Sequence, residues 1–182
     1  MEKILFVAHC VLNTGSKVVM DDSEDMKKET ALRKELLKMA IEKEIQFIQF
    51  PCPEFTVYGA KRWGHVSDQF DNTFFRKHCK NLLELPLMEI EEYLANPDRF
   101  RVLGFVGIEG SPTCGVNLTC TGPWGGSKAT GQEWAQIVDQ CEMVSKPGVL
   151  IQVLKEELDK RGIDIPIYGL NETDLKEIKN SI

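Results

Sequence analysis

The sequence lacks long apolar runs, internal repeats and the glycine motifs that bind nucleotides. No stretch of its 182 residues approaches the ~20 consecutive apolar residues of a membrane-spanning helix, so we expect no membrane insertion. The segment after the first apolar stretch reads AHCVLNTGSK, with neither G-x-G-x-x-G nor a P-loop, which excludes the usual phosphate cradles. Closely spaced C-x-x-C pairs, typical of zinc fingers, are also missing. No linker divides the chain, which predicts one domain over residues 1–182.

Positive charge is in deficit. The chain has 22 Lys and Arg residues against 28 Asp and Glu residues, a net charge of −6, which disfavours nucleic acid as a partner. The first residues, MEKILFVAHCVLN, carry one lysine before a short apolar run and no small-residue cleavage site, so they predict a strand and not a signal peptide. We therefore expect a cytoplasmic protein whose six cysteines are not paired in disulfides.

Apolar stretches alternate with helical patterns along the chain. ILFVA, IQFIQF and RVLGFVGI predict three buried strands at 4–8, 45–50 and 101–108, and IDIPIYGL predicts a fourth at 163–170. The predicted helices are 31–44, 71–95 with a break near Pro86, 132–144, 146–162 with Ser145 as a cap, and about 172–180; the predicted loops are 21–30 and most of 110–132. This alternation predicts a small parallel sheet of order 2-1-3-4 in a three-layer α/β/α sandwich of Rossmann-like or flavodoxin-like type.

Three cysteines follow predicted strands at equivalent places. Cys10 lies just past the first strand, Cys52 just past the second, and Cys114 a few residues past the third. The ends of parallel strands meet at one edge of an open sheet, which is also the edge that binds ligands. Neighbouring strands are ~4.8 Å apart, so these three thiols, here called the cysteine triad, are expected to converge.

Converging thiols are suited to three kinds of chemistry. They could bind zinc with His9 or His65 as a fourth ligand, hold three irons of a 4Fe–4S cluster whose fourth iron is open to substrate, or act as a metal-free thiol relay. The contexts GSPTCGVN and PCPE favour the cluster, because such loops limit side-chain bulk and expose backbone N–H groups to the sulfurs. Of the other cysteines, Cys79 and Cys141 lie on predicted helices and are expected to pack, and Cys120 is either a spare thiol or a fourth ligand.

The cysteine segments resemble the motifs of the 2-thiouracil desulfurase (TudS-like) family. AHCVLN at 8–13, PCPE at 51–54 and GSPTCG at 110–115 are similar in order and spacing to the family's A-C-L-L-G, C-P-E and S-P-S-C-G, and the resemblance spans about residues 1–120. It implies that the cysteine triad ligates a 4Fe–4S cluster. It also implies an enzyme that removes sulfur from a thiolated nucleobase or a related small thio-compound.

The segments around these motifs depart from the family pattern. The chain reads NTGSKVV where the family usually has Cys-Arg-Tyr and a glycine, and FTVYGAKRWG where it usually has Gly-Gly and a Pro-Arg stretch. His9 splits the first motif, and Glu109 stands near a position where a lysine is frequent. The cysteines are kept and the substrate-contacting loops differ, so the resemblance supports cluster binding more strongly than 2-thiouracil as the substrate.

Hydrolytic removal of sulfur needs a base beside the cluster. Glu54, two residues after Cys52, is the first candidate, with a loop carboxylate or helix cap as the alternative. Glu109 is the second candidate, with a solvated charge at a strand end as the alternative. Ser111 is predicted either to orient water or substrate or to form a turn hydrogen bond to the backbone.

Several side chains near these motifs are candidates for substrate contacts. Aromatic rings could stack on a heterocycle or simply cover core, and basic groups could hold an anion. The aromatic candidates are Tyr58, Trp63 and Trp124; the polar candidates are His9, Arg62 and His65, with Lys61 expected to be solvated. The alternative functions are a non-catalytic Fe–S or zinc sensor, favoured if Cys120 or His9 closes the site, and a zinc-dependent hydrolase.

Overall fold

The computed structural model describes residues 1–18, 23–123, 125 and 133–182. Strands and helices alternate along most of the chain. In chain order the elements are β1 (Glu2–Val7), α1 (His9–Leu12), a 3-10 turn (Thr14–Ser16), α2 (Glu24–Glu42), β2 (Ile45–Gln49), α3 (Pro53–Tyr58), α4 (Ser67–Phe70), α5 (Thr73–Leu94), β3 (Phe100–Gly107), β4 (Thr119–Thr121), α6 (Trp134–Val138), β5 (Glu142–Val144), α7 (Val149–Arg161), β6 (Ile167–Gly169) and α8 (Glu172–Asn180).

The central sheet has four parallel strands in the order β2-β1-β3-β6, which confirms the predicted 2-1-3-4 arrangement. Helix α5 packs against α7 and β3, and α2 packs against α8 and β2, as in a three-layer α/β/α fold. Strand β1 lies inside the sheet and is apolar from Ile4 onward, and its Leu5, Phe6 and Val7 are fully buried. The rings of Phe50 and Phe105 lie 4.8 Å apart beside them.

Several element boundaries differ from the sequence predictions. Helix α2 begins at Glu24, inside the predicted loop 21–30, because Ser23 caps it by accepting a hydrogen bond from the Met26 N–H at 3.3 Å. Helix α5 runs unbroken through Pro86, so the predicted break is wrong. A continuous buried stripe, which includes Leu83 and Leu87, holds this helix in place despite the hydrogen bond that proline cannot donate.

The predictions for the second half of the chain need further correction. The predicted helix at 132–144 is α6 followed by β5, and the predicted loop at 110–132 contains β4, which pairs antiparallel with β5. Ser145 does not cap α7; the N-cap residue is Gly148. The fourth strand of the sheet is limited to Ile167–Gly169, shorter than the predicted 163–170. No helix within the described part of the chain is long and apolar enough to cross a membrane.

Candidate functional site

The cysteine triad comes together at the carboxyl edge of the sheet. Cys10 lies in α1 immediately after β1, Cys52 is the N-cap of α3 just after β2, and Cys114 lies in the loop after β3. The thiols of Cys10 and Cys52 shift each other's pKa, and Cys114 interacts electrostatically with both. Cys52 and Cys114 are buried, and Cys10 is half-buried. The three segments that carry the triad therefore meet at one edge of the sheet, and their binding of one shared group stays a prediction.

The three thiols differ in acidity. Interaction with the Cys52 thiol, followed by burial, raises the pKa of Cys10 above its usual value. The same interaction, in which Cys10 keeps its proton, lowers the pKa of Cys52 to about 7, helped by the Phe55 N–H, which donates to Cys52 Sγ at 3.4 Å. Burial, followed by the charge of Cys52, raises the pKa of Cys114. Cys52 is therefore the member of the triad that ionises most readily.

The loop that carries Cys114 folds back onto the end of β3. The Cys114 carbonyl oxygen accepts a hydrogen bond from the Ile108 N–H at 3.0 Å, and the Gly115 N–H donates to the Ser111 carbonyl at 3.1 Å. Gly107 permits this close approach: a Cβ on it would overlap the Cys114 carbonyl and lie 2.7 Å from Val116 Cγ2. The sequence Gly-Ser-Pro-Thr-Cys-Gly thus forms a tight turn that places Cys114 next to the end of β3.

The N-terminus of α7 holds the same loop from the other side. The Gly148 N–H donates to the Gly115 carbonyl at 2.9 Å, the Val149 N–H to the Pro112 carbonyl at 3.1 Å, and the Leu150 N–H to the Thr113 carbonyl at 3.0 Å. These are donors that a helix leaves unpaired at its first turn. The sequence carries no local signal for this contact, because donors and acceptors are more than thirty residues apart.

Ser111 shapes the turn around Cys114. Its Oγ accepts hydrogen bonds from the Cys114 N–H at 3.0 Å and the Thr113 N–H at 3.3 Å. This is the backbone turn role that was one of the two expectations for Ser111. A role for its hydroxyl in orienting water or substrate remains a prediction.

Glu54 is a buried carboxylate between the cysteine loops. It is 7% exposed; its Oε2 accepts from Arg62 Nε at 3.2 Å, and its Oε1 accepts from Thr113 Oγ1 at 2.7 Å. The alternative of a solvated loop carboxylate is therefore wrong. Since Thr113 Oγ1 also lies 3.5 Å from Cys114 Sγ, Glu54 is within two contacts of a triad thiol.

Glu109 organises the loop beyond Cys114. Its Oε2 accepts hydrogen bonds from three successive backbone N–H groups, those of Val116 at 3.2 Å and of Asn117 and Leu118 at 3.0 Å. Its Oε1 accepts from Asn117 Nδ2 at 2.7 Å and Asn171 Nδ2 at 3.4 Å. It is not a solvated strand-end charge, and both of its oxygens are committed to loop structure.

Replacing Glu109 with glutamine is expected to lower the free energy of unfolding by about 1–3 kcal/mol, because an amide nitrogen would then face backbone donors or leave them unpaired. Urea unfolding followed by circular dichroism measures the change. The matched control is Glu84→Gln on an exposed position of α5, expected to change the stability by less than about 0.5 kcal/mol. Equal stability of the two variants would contradict the loop role of Glu109.

The candidate substrate-binding side chains are not all in one place. Tyr58 and His65 stack with ring centroids 5.1 Å apart, and His65 Nδ1 is buried with no hydrogen-bond partner among the described residues. His9 Nε2 lies 3.3 Å from Asn13 Nδ2, in the same first motif. The Arg62 side chain is 3% exposed and contacts protein groups.

Two of the remaining candidates are on the surface. Trp63 is 79% exposed, and Lys61 is exposed as expected. Trp124 lies outside the described residues. The ring-stacking role of Trp63 stays a prediction.

The cysteines outside the triad divide into two groups. Cys79, on α5, is fully buried, and burial raises its pKa to about 12, with a smaller effect from Cys52. Cys120 lies on β4, and burial raises its pKa, with a smaller effect from its neighbours Cys141 and Asp68. Cys141 lies in the turn before β5, not on a helix as predicted, and donates to the Ile137 carbonyl at 3.4 Å.

Comparisons with known proteins give one family and one distant relative. A family model described as "Putative 2-thiouracil desulfurase" matches residues 2–124, about two thirds of the chain. An uncharacterized protein of Methanocaldococcus jannaschii, MJ0003, is 29% identical over 115 residues, which cover 63% of this chain and 69% of the relative. No solved structure matches the chain. The matched region contains all three cysteines of the triad.

Proposed function

The chain belongs to the family described as "Putative 2-thiouracil desulfurase", and we propose that it hydrolyses the C–S bond of a thiolated nucleobase or a related small thio-compound with a 4Fe–4S cluster held by the cysteine triad. The observation that supports this most strongly is the convergence of Cys10, Cys52 and Cys114 at the sheet edge. The three thiols belong to three separate segments of the chain, so one shared ligand would join all three.

The donor set suits an iron–sulfur cluster. Cluster irons are held by cysteine thiolates, and Cys52, with a pKa of about 7, ionises near neutral pH. The Phe55 N–H, which donates to Cys52 Sγ at 3.4 Å, is a hydrogen bond that a ligated sulfur would keep. Ser16 Oγ lies 3.8 Å from Cys10 Sγ and Thr113 Oγ1 lies 3.5 Å from Cys114 Sγ, but these hydroxyls donate to the Asn13 carbonyl and to Glu54.

A 4Fe–4S cluster and a single metal ion need different arrangements of ligands. Among the residues that the structure describes, no group of three or more His, Cys, Asp and Glu side chains is arranged to hold a metal ion. A 4Fe–4S cluster spreads its cysteine ligands over several irons, so they need not surround one point. With the cluster bound, its iron without a cysteine would act as a Lewis acid toward the thiocarbonyl sulfur.

The protein's own residues would supply the proton transfer. In the overall reaction, water replaces the sulfur of a C=S group with oxygen, and the sulfur leaves as hydrogen sulfide with no net oxidation. Glu54 is our candidate to take the proton of the attacking water, because it is a buried carboxylate one hydroxyl away from Cys114. Arg62 and Thr113 fix its orientation. Glu109 is a weaker candidate, since both its oxygens accept several hydrogen bonds from the loop.

Anaerobic reconstitution with iron and sulfide tests the proposal. We expect about four irons per chain, the absorption spectrum of a 4Fe–4S cluster, and release of sulfide from a panel of thiolated pyrimidines and purines that includes 2-thiouracil. Glu54→Gln is expected to keep its iron and to lose sulfide release by about 10²–10⁴-fold.

The outcomes separate the parts of the proposal. Iron binding without sulfide release from any thiolated base would overturn the desulfidase function and favour a cluster-binding sensor. Absence of iron after reconstitution would overturn the cluster. If Glu54→Gln releases sulfide as fast as the unmodified protein, Glu54 is not the base. The cluster and the desulfidase function are unaffected by that result.

A further inference from the structure

Arg62 makes hydrogen bonds to two of the three segments that carry the cysteine triad. Its Nη2 donates to the Ser16 carbonyl at 2.7 Å, and its Nε donates to Glu54 Oε2 at 3.2 Å. Its Nη1 donates to the Gly59 carbonyl at 3.3 Å, which fixes the guanidinium plane at the end of α3. The side chain is 3% exposed, so these contacts are shielded from water.

The residues that Arg62 contacts link it to the third segment, the Cys114 loop. Ser16 closes the turn after α1 and places its Oγ 3.8 Å from Cys10 Sγ. Glu54 lies in the first turn of α3, which Cys52 caps. The second oxygen of Glu54 accepts from Thr113, the residue next to Cys114. One path of contacts therefore runs from the Cys10 segment through Arg62 and Glu54 to the Cys114 loop.

We propose that Arg62 is a positioning residue that sets the spacing of the cysteine triad before any ligand binds. Its burial keeps it from contacting substrate directly, so it acts through Ser16 and Glu54. This replaces the direct substrate contact that the sequence suggested for Arg62. The proposal rests on the contacts of the ligand-free protein and does not require the desulfidase function to be correct.

The chemistry of arginine explains why this position needs a guanidinium. Three donors of one rigid plane reach three acceptors in different directions, two of them carbonyls. A lysine would bring the same charge but only a single nitrogen on a flexible stem. A purely electrostatic role toward Glu54 and a geometric role are therefore distinguishable by Arg62→Lys.

The first test uses the apo protein. Rates of iodoacetamide labelling are measured for each cysteine by peptide mass spectrometry in the unmodified protein, Arg62→Met, Arg62→Lys and the control Arg161→Met, which removes an exposed ion pair to Glu91 at 2.8 Å. In Arg62→Met we expect Cys52 and Cys114 to react about tenfold faster or more, through local opening, while Cys79 in the core keeps its rate. Arg62→Lys is expected to behave like Arg62→Met, and Arg161→Met like the unmodified protein.

A second variant and a second readout keep the result interpretable. Thr113→Val breaks only the link from Glu54 to the Cys114 loop, so it is expected to speed the labelling of Cys114 and not of Cys10. If Arg62→Met does not fold, the labelling rates of Arg62→Lys, which keeps the charge and loses the three-donor geometry, decide. The iron content after reconstitution is expected to fall in Arg62→Met and to stay unchanged in Arg161→Met; this arm alone rests on the proposed function.

Three results would overturn the role of Arg62. One is unchanged labelling of Cys52 and Cys114 in a folded Arg62→Met variant. Another is acceleration of Cys79 to the same extent, which reports general loosening and not a change at the triad. The third is slow labelling in Arg62→Lys, as in the unmodified protein. That result would show that only the positive charge of Arg62 matters and not the geometry of its guanidinium.

Discussion

Single replacement of Cys10, Cys52 or Cys114 by alanine is expected to abolish cluster binding, with iron per chain falling from about four to near zero. Loss of an outer partner of a metal site costs about 10–100-fold in affinity, and loss of a ligand from a set of three costs more. Iron and acid-labile sulfide are counted after anaerobic reconstitution. The three segments contribute one thiol each, so no triad cysteine can replace another from its own loop.

The matched controls are the cysteines outside the triad. Cys79→Ala removes a fully buried thiol that lies within electrostatic range of Cys52, and Cys141→Ala removes a half-buried thiol in the turn before β5. Both are expected to retain their iron. If Cys79→Ala loses the iron and a triad variant keeps it, the assignment of the three ligands is wrong.

Gly107→Ala is expected to destabilise the protein by about 1–3 kcal/mol or more and to disturb the Cys114 loop at the same time. Its new Cβ would overlap the Cys114 carbonyl oxygen, a backbone atom that is itself hydrogen-bonded to Ile108. Either β3 or the loop must then move. Thermal unfolding measures the first effect, and iron content after reconstitution measures the second.

Gly64→Ala is the control for this substitution. A Cβ at Gly64 meets no atom of the described residues within 4 Å, so the same chemical change is expected to alter the stability by less than about 0.5 kcal/mol. If Gly107→Ala unfolds at the same temperature as the unmodified protein, the loop adapts to the new Cβ without strain.

The parts of the fold that the sequence predicts are those with a local pattern. Strands β1 and β3 contain apolar runs, β2 is mainly apolar, and the order of the strands follows from the alternation with helices. The start of α2 had a usable signal in Ser23 followed by the acidic Glu24, which together mark a helix N-terminus, but the charged surface of 21–30 resembles a loop. Pro86 was misleading because burial of its helix outweighs one missing hydrogen bond.

The site was predictable only as far as strand ends determine it. The placement of Cys10, Cys52 and Cys114 follows from parallel topology alone. The roles of Glu109 and Arg62 depend on which polar groups lie opposite their side chains. Those partners include the Asn171 amide, 62 positions from Glu109, and the Ser16 carbonyl, 46 positions from Arg62. No periodicity or spacing in the sequence records such contacts, since each is decided by how the loops pack.

The contact between the Cys114 loop and α7 bears on how much of the chain the site needs. The family match ends at residue 124, and it includes every cysteine of the triad. The N–H groups that satisfy the carbonyls of Pro112, Thr113 and Gly115 come from Gly148, Val149 and Leu150, and Asn171 reaches Glu109 from beyond β6. A piece of the chain that stopped at residue 124 would carry all the ligands and lack the donors that close their loop. The smallest self-sufficient form of this site is therefore longer than the segment by which its family is recognised.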